Sequence, residues 1–348
     1  MTRQLTIDDF FNSGTPVALI DVRTPAEFLQ GHIPGAFNIP LFTNEERVKV
    51  GTTYKQVGRE EAILLGFDLT GPKWSGFIKQ ALEIAPDKKV AVHCWRGGMR
   101  SGAMAWALAL YGFDVVVIKG GYKNYRRWVH TRFAINYSLK VLGGMTGSGK
   151  TKILHQLKAM GEQVIDLEDL AQHQGSSYGT MNIMVQPTQE QFENNLATAL
   201  TEMDPAVKIW VEDESLTIGK RSIPNPFWYQ MREAALIDMR VNTEQRVAKL
   251  AQEYGTLDKD FLAACTERIR KRLGPEQTKH ALEAIRENRM VDFIRLVLVY
   301  YDKTYRTGLS KRNAEKVFPV DIHSDDIVDN AHTILTFTKT LAEKATLY

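Results

Sequence analysis

His93-Cys94-Trp95-Arg96-Gly97-Gly98-Met99-Arg100-Ser101 follows the run Val90-Ala91-Val92 and precedes a helical stretch from Gly102 to Tyr111 rich in Ala, Met, Leu and Trp. A short β-branched run that stops at a polar residue and gives way to helical periodicity reads as a buried parallel strand, a tight loop and a returning helix. The same grammar recurs on either side, with Val17-Ala18-Leu19-Ile20 before Asp21 and Val115-Val116-Val117-Ile118 before Gly120-Gly121. The N-terminal third is therefore an α/β layer fold. Further along, Ser138-Leu139-Lys140-Val141-Leu142 runs into Gly144-Met145-Thr146-Gly147-Ser148-Gly149-Lys150-Thr151, and a helix is expected from Thr151 to about Met160. This begins a second α/β unit, with further strands expected at Gln163-Val164-Ile165-Asp166 and Val207-Lys208-Ile209-Trp210-Val211. From about Asn225 onward the chain reads as helical and charged. Two domains are expected, over 1–134 and 135–348, the second with a helical C-terminal part.

Cys94 has the setting of a nucleophile. A thiol directly after a buried strand and before a helix meets converging backbone N–H groups and a helix N-terminus, which favour thiolate. Arg96 and Arg100 add positive charge and offer a fork to a tetrahedral oxyanion. Cys265, within Phe261-Leu262-Ala263-Ala264-Cys265, reads instead as a small buried hydrophobe.

Gly144-x-x-x-x-Gly149-Lys150-Thr151 fits the phosphate-binding loop pattern in its required strand-to-helix context. Glycines at 144, 147 and 149 let successive N–H groups of Thr146, Gly147, Ser148 and Gly149 face a phosphate, and Lys150 neutralises its terminal oxygens. Thr151 is a candidate Mg²⁺ ligand. Glu212 and Asp213, within Val211-Glu212-Asp213-Glu214, are candidates for a supporting carboxylate, or alternatively for capping the next helix. Such a loop does not specify ATP, because a leaving diphosphate is stabilised by the same donors as a transferred phosphoryl group.

Composition sets outer bounds. With 348 residues, 44% of them hydrophobic and 24% charged, the chain has enough apolar surface for two ordinary cores. Residues 1–15 carry Asp8 and Asp9 and no basic-then-apolar leader, and no run reaches membrane-spanning length. Two cysteines exclude a disulfide framework and a four-cysteine zinc site, so a reducing, cytoplasmic setting without membrane is expected. A net charge of +3 leaves any nucleic-acid contact to local patches. One is Lys119, Lys123, Arg126, Arg127 and Arg132, interleaved with Tyr122, Tyr125 and Trp128; another is Arg268, Arg270, Lys271 and Arg272. The three aromatics share a helical face, so they either stack on unpaired bases or pack in the core. Oligomeric state is not legible.

Leu19-Ile20-Asp21-Val22-Arg23-Thr24-Pro25-Ala26-Glu27-Phe28, Gly31-His32-Ile33-Pro34-Gly35-Ala36 and Asn38-Ile39-Pro40, together with the Cys94 loop, resemble the rhodanese domain over about residues 5 to 130. The resemblance implies a chalcogen carried as a persulfide on Cys94, with Asp21, Arg23 and Glu27 as structural pairing and capping residues. An insertion from Thr43 to about Trp74 departs from a minimal rhodanese; its Gly51–Gln56 segment and Gly66 are candidates to line a site.

The fusion of this domain to a phosphate loop is similar to the tRNA 2-selenouridine synthase family across essentially the whole chain. Asp166-Leu167-Glu168-Asp169-Leu170-Ala171, His173-Gln174-Gly175-Ser176-Ser177-Tyr178-Gly179, Glu212-Asp213-Glu214-Ser215, Ile218-Gly219 and Tyr300-Tyr301-Asp302-Lys303-Thr304-Tyr305 also look like that family. The resemblance implies two reactions on the 2-thiouridine at the wobble position of a tRNA anticodon loop. S-geranylation from geranyl diphosphate comes first, and replacement of the geranylthio group by selenium from selenophosphate follows. The phosphate loop would hold the departing diphosphate, Cys94 would present selenium as a perselenide, and Arg96 and Arg100 would bind selenophosphate. Glu168, His173 and Gly66 join Glu212 and Asp213 as supporting candidates.

Two other readings compete. A sulfurtransferase fused to an ATP-dependent kinase or ATPase would bind nucleotide and hydrolyse it with Mg²⁺. A noncatalytic RNA-binding protein would tolerate alanine at Cys94, Lys150 and Thr151, a reading that the intact motifs oppose.

Overall fold

The structure, a computed structural model, describes residues 2–13, 17–173, 178 and 185–345. It divides into two compact units, residues 1–132 with 193–198 and residues 133–192 with 199–348.

In the first unit the elements run β1 (Thr2–Leu5), α1 (Ile7–Asn12), β2 (Ala18–Asp21), α2 (Pro25–Gln30), β3 (Phe37–Asn38), α3 (Asn44–Gln56), α4 (Arg59–Thr70), α5 (Trp74–Ile84), β4 (Lys89–His93), α6 (Met99–Leu110), β5 (Asp114–Ile118) and α7 (Gly121–Arg132). The strands form a parallel sheet in the order β1-β5-β4-β2-β3, which places β4 at its centre. Val90, Ala91 and Val92 of β4 are wholly buried, as a strand covered on both faces requires. Its C-terminal end delivers Cys94. The 43–74 insertion is helical: Thr43 and Glu46 form a capping box at the start of α3, which packs against α4. Gly66 is an interior position of α4, where an added Cβ would make ordinary contact with Phe42 at 3.5 Å.

The second unit runs β6 (Leu139–Gly144), α8 (Lys150–Ala159), β7 (Gln163–Ile165), α9 (Leu167–Ala171), α10 (Gln189–Thr201), β8 (Ile209–Glu212), β9 (Thr217–Ile218), β10 (Arg221–Ser222), α11 (Asn225–Glu233), β11 (Ala235–Val241), α12 (Thr243–Tyr254), α13 (Lys259–Arg268), α14 (Arg270–Leu273), α15 (Pro275–Arg286), α16 (Met290–Leu309), β12 (Val317–Ile322) and α17 (Ile327–Ala345). Part of α10, Glu193–Thr198, is grouped with the first unit. The parallel sheet has the order β12-β11-β6-β8-β7, and β9 pairs with β10 in a separate antiparallel ribbon.

The region after Asn225, expected to be helical and charged, is largely helical but also holds two strands. β11 lies beside the phosphate-loop strand and β12 closes the edge. Both escape a search for apolar runs because charge interrupts them, Asp238 and Arg240 in β11 and Asp321 in β12, and because Pro319 in β12 is a residue that only an edge strand tolerates. A second core joins Val247, Leu262, Cys265, Ala281, Phe293 and Val297 of α12, α13, α15 and α16, so Cys265 is indeed packing material. Among the described residues no helix is long and apolar enough to cross a membrane.

Candidate active sites

Two glycine turns build the thiol loop. Gly97 at φ +64° and Gly121 at φ +56° occupy the left-handed region, and they approach so closely that a Cβ on Gly121 would lie 2.2 Å from the Cys94 carbonyl and 2.6 Å from Gly97 N. Only glycine meets both demands. The contact also lets α7 cap the loop: Tyr122 N–H donates to Cys94 O and Lys123 N–H to Trp95 O, each at 2.9 Å.

Within this frame Cys94 is buried, its Sγ accepts from Gly98 N–H at 3.3 Å, and the Ser101 hydroxyl lies 3.3 Å away. Burial alone would raise the thiol pKa. Hydrogen bonding from the Ser101 side chain and from the N–H groups of Ser101, Gly98 and Arg96 outweighs it and holds the thiol below its ordinary range.

The two arginines of the loop differ. Arg96 is exposed and makes no ion pair with any described residue, whereas Arg100 forks onto Glu27 at 2.7 and 3.3 Å. Glu27 also closes the capping box of α2 with Thr24. Arg100 is thus already committed to a carboxylate, and the free guanidinium of the loop is Arg96. Beneath the loop, Asp21 and Arg23 form a buried ion pair at 2.6 Å, and Arg23 stacks on Tyr122 at 3.7 Å. Tyr122, Tyr125 and Trp128 are buried, which settles their face of α7 as core rather than a platform for bases. Lys119, Lys123 and Arg127 remain exposed, while Arg126 pairs with Glu193. Arg268, Arg270, Lys271 and Arg272 are exposed as well.

In the second unit the chain leaves β6 at Gly144 and re-enters a helix at Lys150, with Gly147 at φ +81° and Gly149 at φ +82° supplying the left-handed turns. Lys150 Nζ donates to Gly144 O at 2.9 Å, across the loop. Ser148 Oγ is buried and has no hydrogen-bond partner among the described residues. Thr151 Oγ1 donates to Glu168 Oε2 at 3.1 Å, and Glu168 N–H faces Glu212 Oε2 at 3.4 Å. Glu212 is wholly buried at the end of β8, and its Oε1 also lacks a partner there. Burial, then the neighbouring Glu168 charge, raises Glu212 well above the ordinary carboxylate range. The same two causes, opposed by Lys150, push Glu214 up to about 8.

Asp213 does not share that site. It is held by Arg312 at 2.6 Å with Arg232 at 3.8 Å, so Glu168 and Glu212, not Asp213, accompany Thr151. Nor do these acids cap a helix, since an irregular stretch and β9 follow them. His173 lies within van der Waals reach of Gly219 and is depressed by burial and by Arg268. Gln174, Gly175, Ser176, Ser177 and Gly179 lie outside the described residues.

Sequence reading missed the groups that brace the phosphate loop. Buried Arg246 donates to Thr146 O at 3.0 Å and forks onto Asp302 at 2.8 and 2.7 Å. Tyr305 OH donates to Asp238 Oδ1 at 2.6 Å, directly behind Gly143, where an added Cβ would lie 2.7 Å from that hydroxyl. Asp302 and Tyr305 sit one turn apart on α16, a helical spacing that the Tyr300–Tyr305 segment carries openly; nothing in the sequence says which loop they face.

Comparison with known proteins agrees with this division. Residues 6–127 match the model of the rhodanese-like domain, and residues 137–333 match that of the tRNA 2-selenouridine synthase AAA domain. Relatives named tRNA 2-selenouridine synthase include that of Shewanella denitrificans, 35% identical over 92% of this chain and 96% of the relative. That of Nitrosomonas europaea is 33% identical over 90% of this chain and 94% of its own, and that of Hydrogenovibrio crunogenus 35% identical over 86% and 91%.

Proposed function

Because the chain belongs to the tRNA 2-selenouridine synthase family, we propose that it is a transferase that converts 2-thiouridine at the tRNA wobble position to 2-selenouridine through an S-geranyl intermediate. The observation that carries the reading is the coexistence of a hydrogen-bonded, low-pKa thiol and a phosphate loop on one chain. The chemistry needs both. A thiocarbonyl sulfur is a good nucleophile but leaves poorly from C2, and alkylation turns it into a leaving group.

In the first step sulfur attacks the allylic carbon of geranyl diphosphate and the C–O bond to diphosphate breaks. Main-chain N–H groups of residues 146–149 and Lys150 stabilise the departing anion. Thr151 and Glu168 offer hard oxygen donors that suit Mg²⁺, which when bound supplies further positive charge to the diphosphate. In the second step the Cys94 thiolate attacks the phosphorus of selenophosphate, with Arg96 of the same loop facing the oxyanion; the P–Se bond breaks, the hydroselenide released bonds to C2 as geranylthiolate leaves, and water then frees the thiol as phosphate departs. An anticodon loop presents its unstacked base to such a site, and the exposed Lys119, Lys123, Arg127 and Arg268–Arg272 groups suit its phosphates.

The test is nucleoside mass spectrometry on 2-thiouridine tRNA incubated with protein and geranyl diphosphate, with and without selenophosphate. A geranyl adduct that converts to 2-selenouridine is expected. No mass change with either donor would return the field to a nucleotide-dependent sulfurtransferase.

A further inference from the structure

A cavity of about 450 Å³ runs along α6 from the Cys94 loop, a size within the range of small-molecule sites, roughly 300–1,000 Å³. Its helical wall is Gly98, Gly102, Ala105, Trp106, Ala109 and Leu110. Gly98 connects it to the chemistry, because the N–H of that residue is the donor to Cys94 Sγ. Gly102 needs no glycine for conformation, being mid-helix with nothing within 4 Å of an added Cβ. A helix-interior glycine costs about 1 kcal/mol relative to alanine, and here its only consequence is open space. Trp106 and Leu110 stand 62% and 75% exposed beside that space. An aromatic and an aliphatic side chain held at a surface along the helix that leaves the thiol loop mark a binding face.

The lining selects its occupant. Among the described residues that line it none is charged, and Thr2 and Gln4 supply the polar side chains. It therefore lacks the cation that a phosphate or selenophosphate would call for. Of the groups that the two-step reaction brings to Cys94, the one without a polar atom is the prenyl chain.

We propose that this groove seats the geranyl chain of the S-geranylated nucleoside while selenium is delivered at Cys94, an assignment that rests on the two-step reading above. The chain lies along α6 with its sulfur end toward Gly98, so the leaving geranylthiol is held clear of the incoming selenium. Discrimination between S-geranyl and S-alkyl substrates of shorter chain is then a property of the rhodanese-like unit.

The experiment compares selenium incorporation into tRNAs carrying S-geranyl- or S-methyl-2-thiouridine, using full-length wild type, Gly102→Leu and Trp106→Ala. Reading the ratio of kcat/KM for the two substrates on one preparation cancels any loss of folded protein. Wild type is expected to favour the geranyl substrate by about ten-fold or more, and both variants to lose most of that preference. Emission from Trp106 is expected to change when S-geranyl-2-thiouridine nucleoside is added, and Trp106→Phe to abolish the change. A preference unaltered by both substitutions overturns the groove assignment alone. A wild type that selenates neither substrate overturns the two-step reading and the groove with it.

Discussion

At the sulfur of Cys94 burial and hydrogen bonding act in opposite senses, and the hydrogen bonds prevail. A depressed pKa means that thiolate persists as pH falls below the ordinary thiol range. Alkylation by iodoacetamide should therefore have its pH midpoint below that of an ordinary cysteine, and Ser101→Ala, which removes a donor to the charged form, should slow it by about three- to ten-fold and move that midpoint upward. An unchanged profile would mean that Ser101 does not act on the thiolate. The strand-to-helix settings of Cys94 and of the glycine-rich loop, and the capping role of Glu27, are legible in the sequence because each depends on near neighbours. The commitment of Arg100 to Glu27 and of Asp213 to Arg312 is not, since those pairs join residues distant in the chain.

At the scale of elements, both loops are held by something that comes later in the chain. Gly121, at the start of α7, backs the Cys94 loop, and Gly121→Ala combines a positive φ with a 2.2 Å clash. That substitution should cost about 1–3 kcal/mol and slow Cys94 alkylation; urea unfolding and the alkylation rate measure the two effects. Arg246 and Asp302 brace the phosphate loop from α12 and α16. Arg246→Met leaves the Asp302 carboxylate without its buried partner, so the second unit should lose about 3–5 kcal/mol, seen as a lower urea midpoint and weaker geranyl diphosphate binding. Strands with clean apolar runs, β2, β4, β5, β6, β7 and β8, could be read directly. β11 and β12 could not, because sheet neighbours rather than local pattern make their charged residues tolerable.

Over the whole chain, the two domain matches and the near full-length relatives agree with an α/β fold that joins a rhodanese-like unit to a phosphate-loop unit. The net charge of +3 is too small to hold an RNA by itself. Local basic faces would have to do so, and tRNA affinity should then fall steeply between 50 and 200 mM salt, roughly in proportion to the phosphates contacted. A flat salt response would remove those faces from the account. In the proposed reaction alkylation belongs to the phosphate loop and selenium delivery to Cys94, and nucleoside mass spectrometry on two variants separates the two steps. Cys94→Ser is predicted to accumulate S-geranyl-2-thiouridine and make no 2-selenouridine. Lys150→Ala is predicted to lose roughly 10²–10³-fold in geranylation yet still to selenate tRNA that already carries the geranyl group. Selenouridine formed by Cys94→Ser, or loss of both steps in each folded variant, would contradict the division.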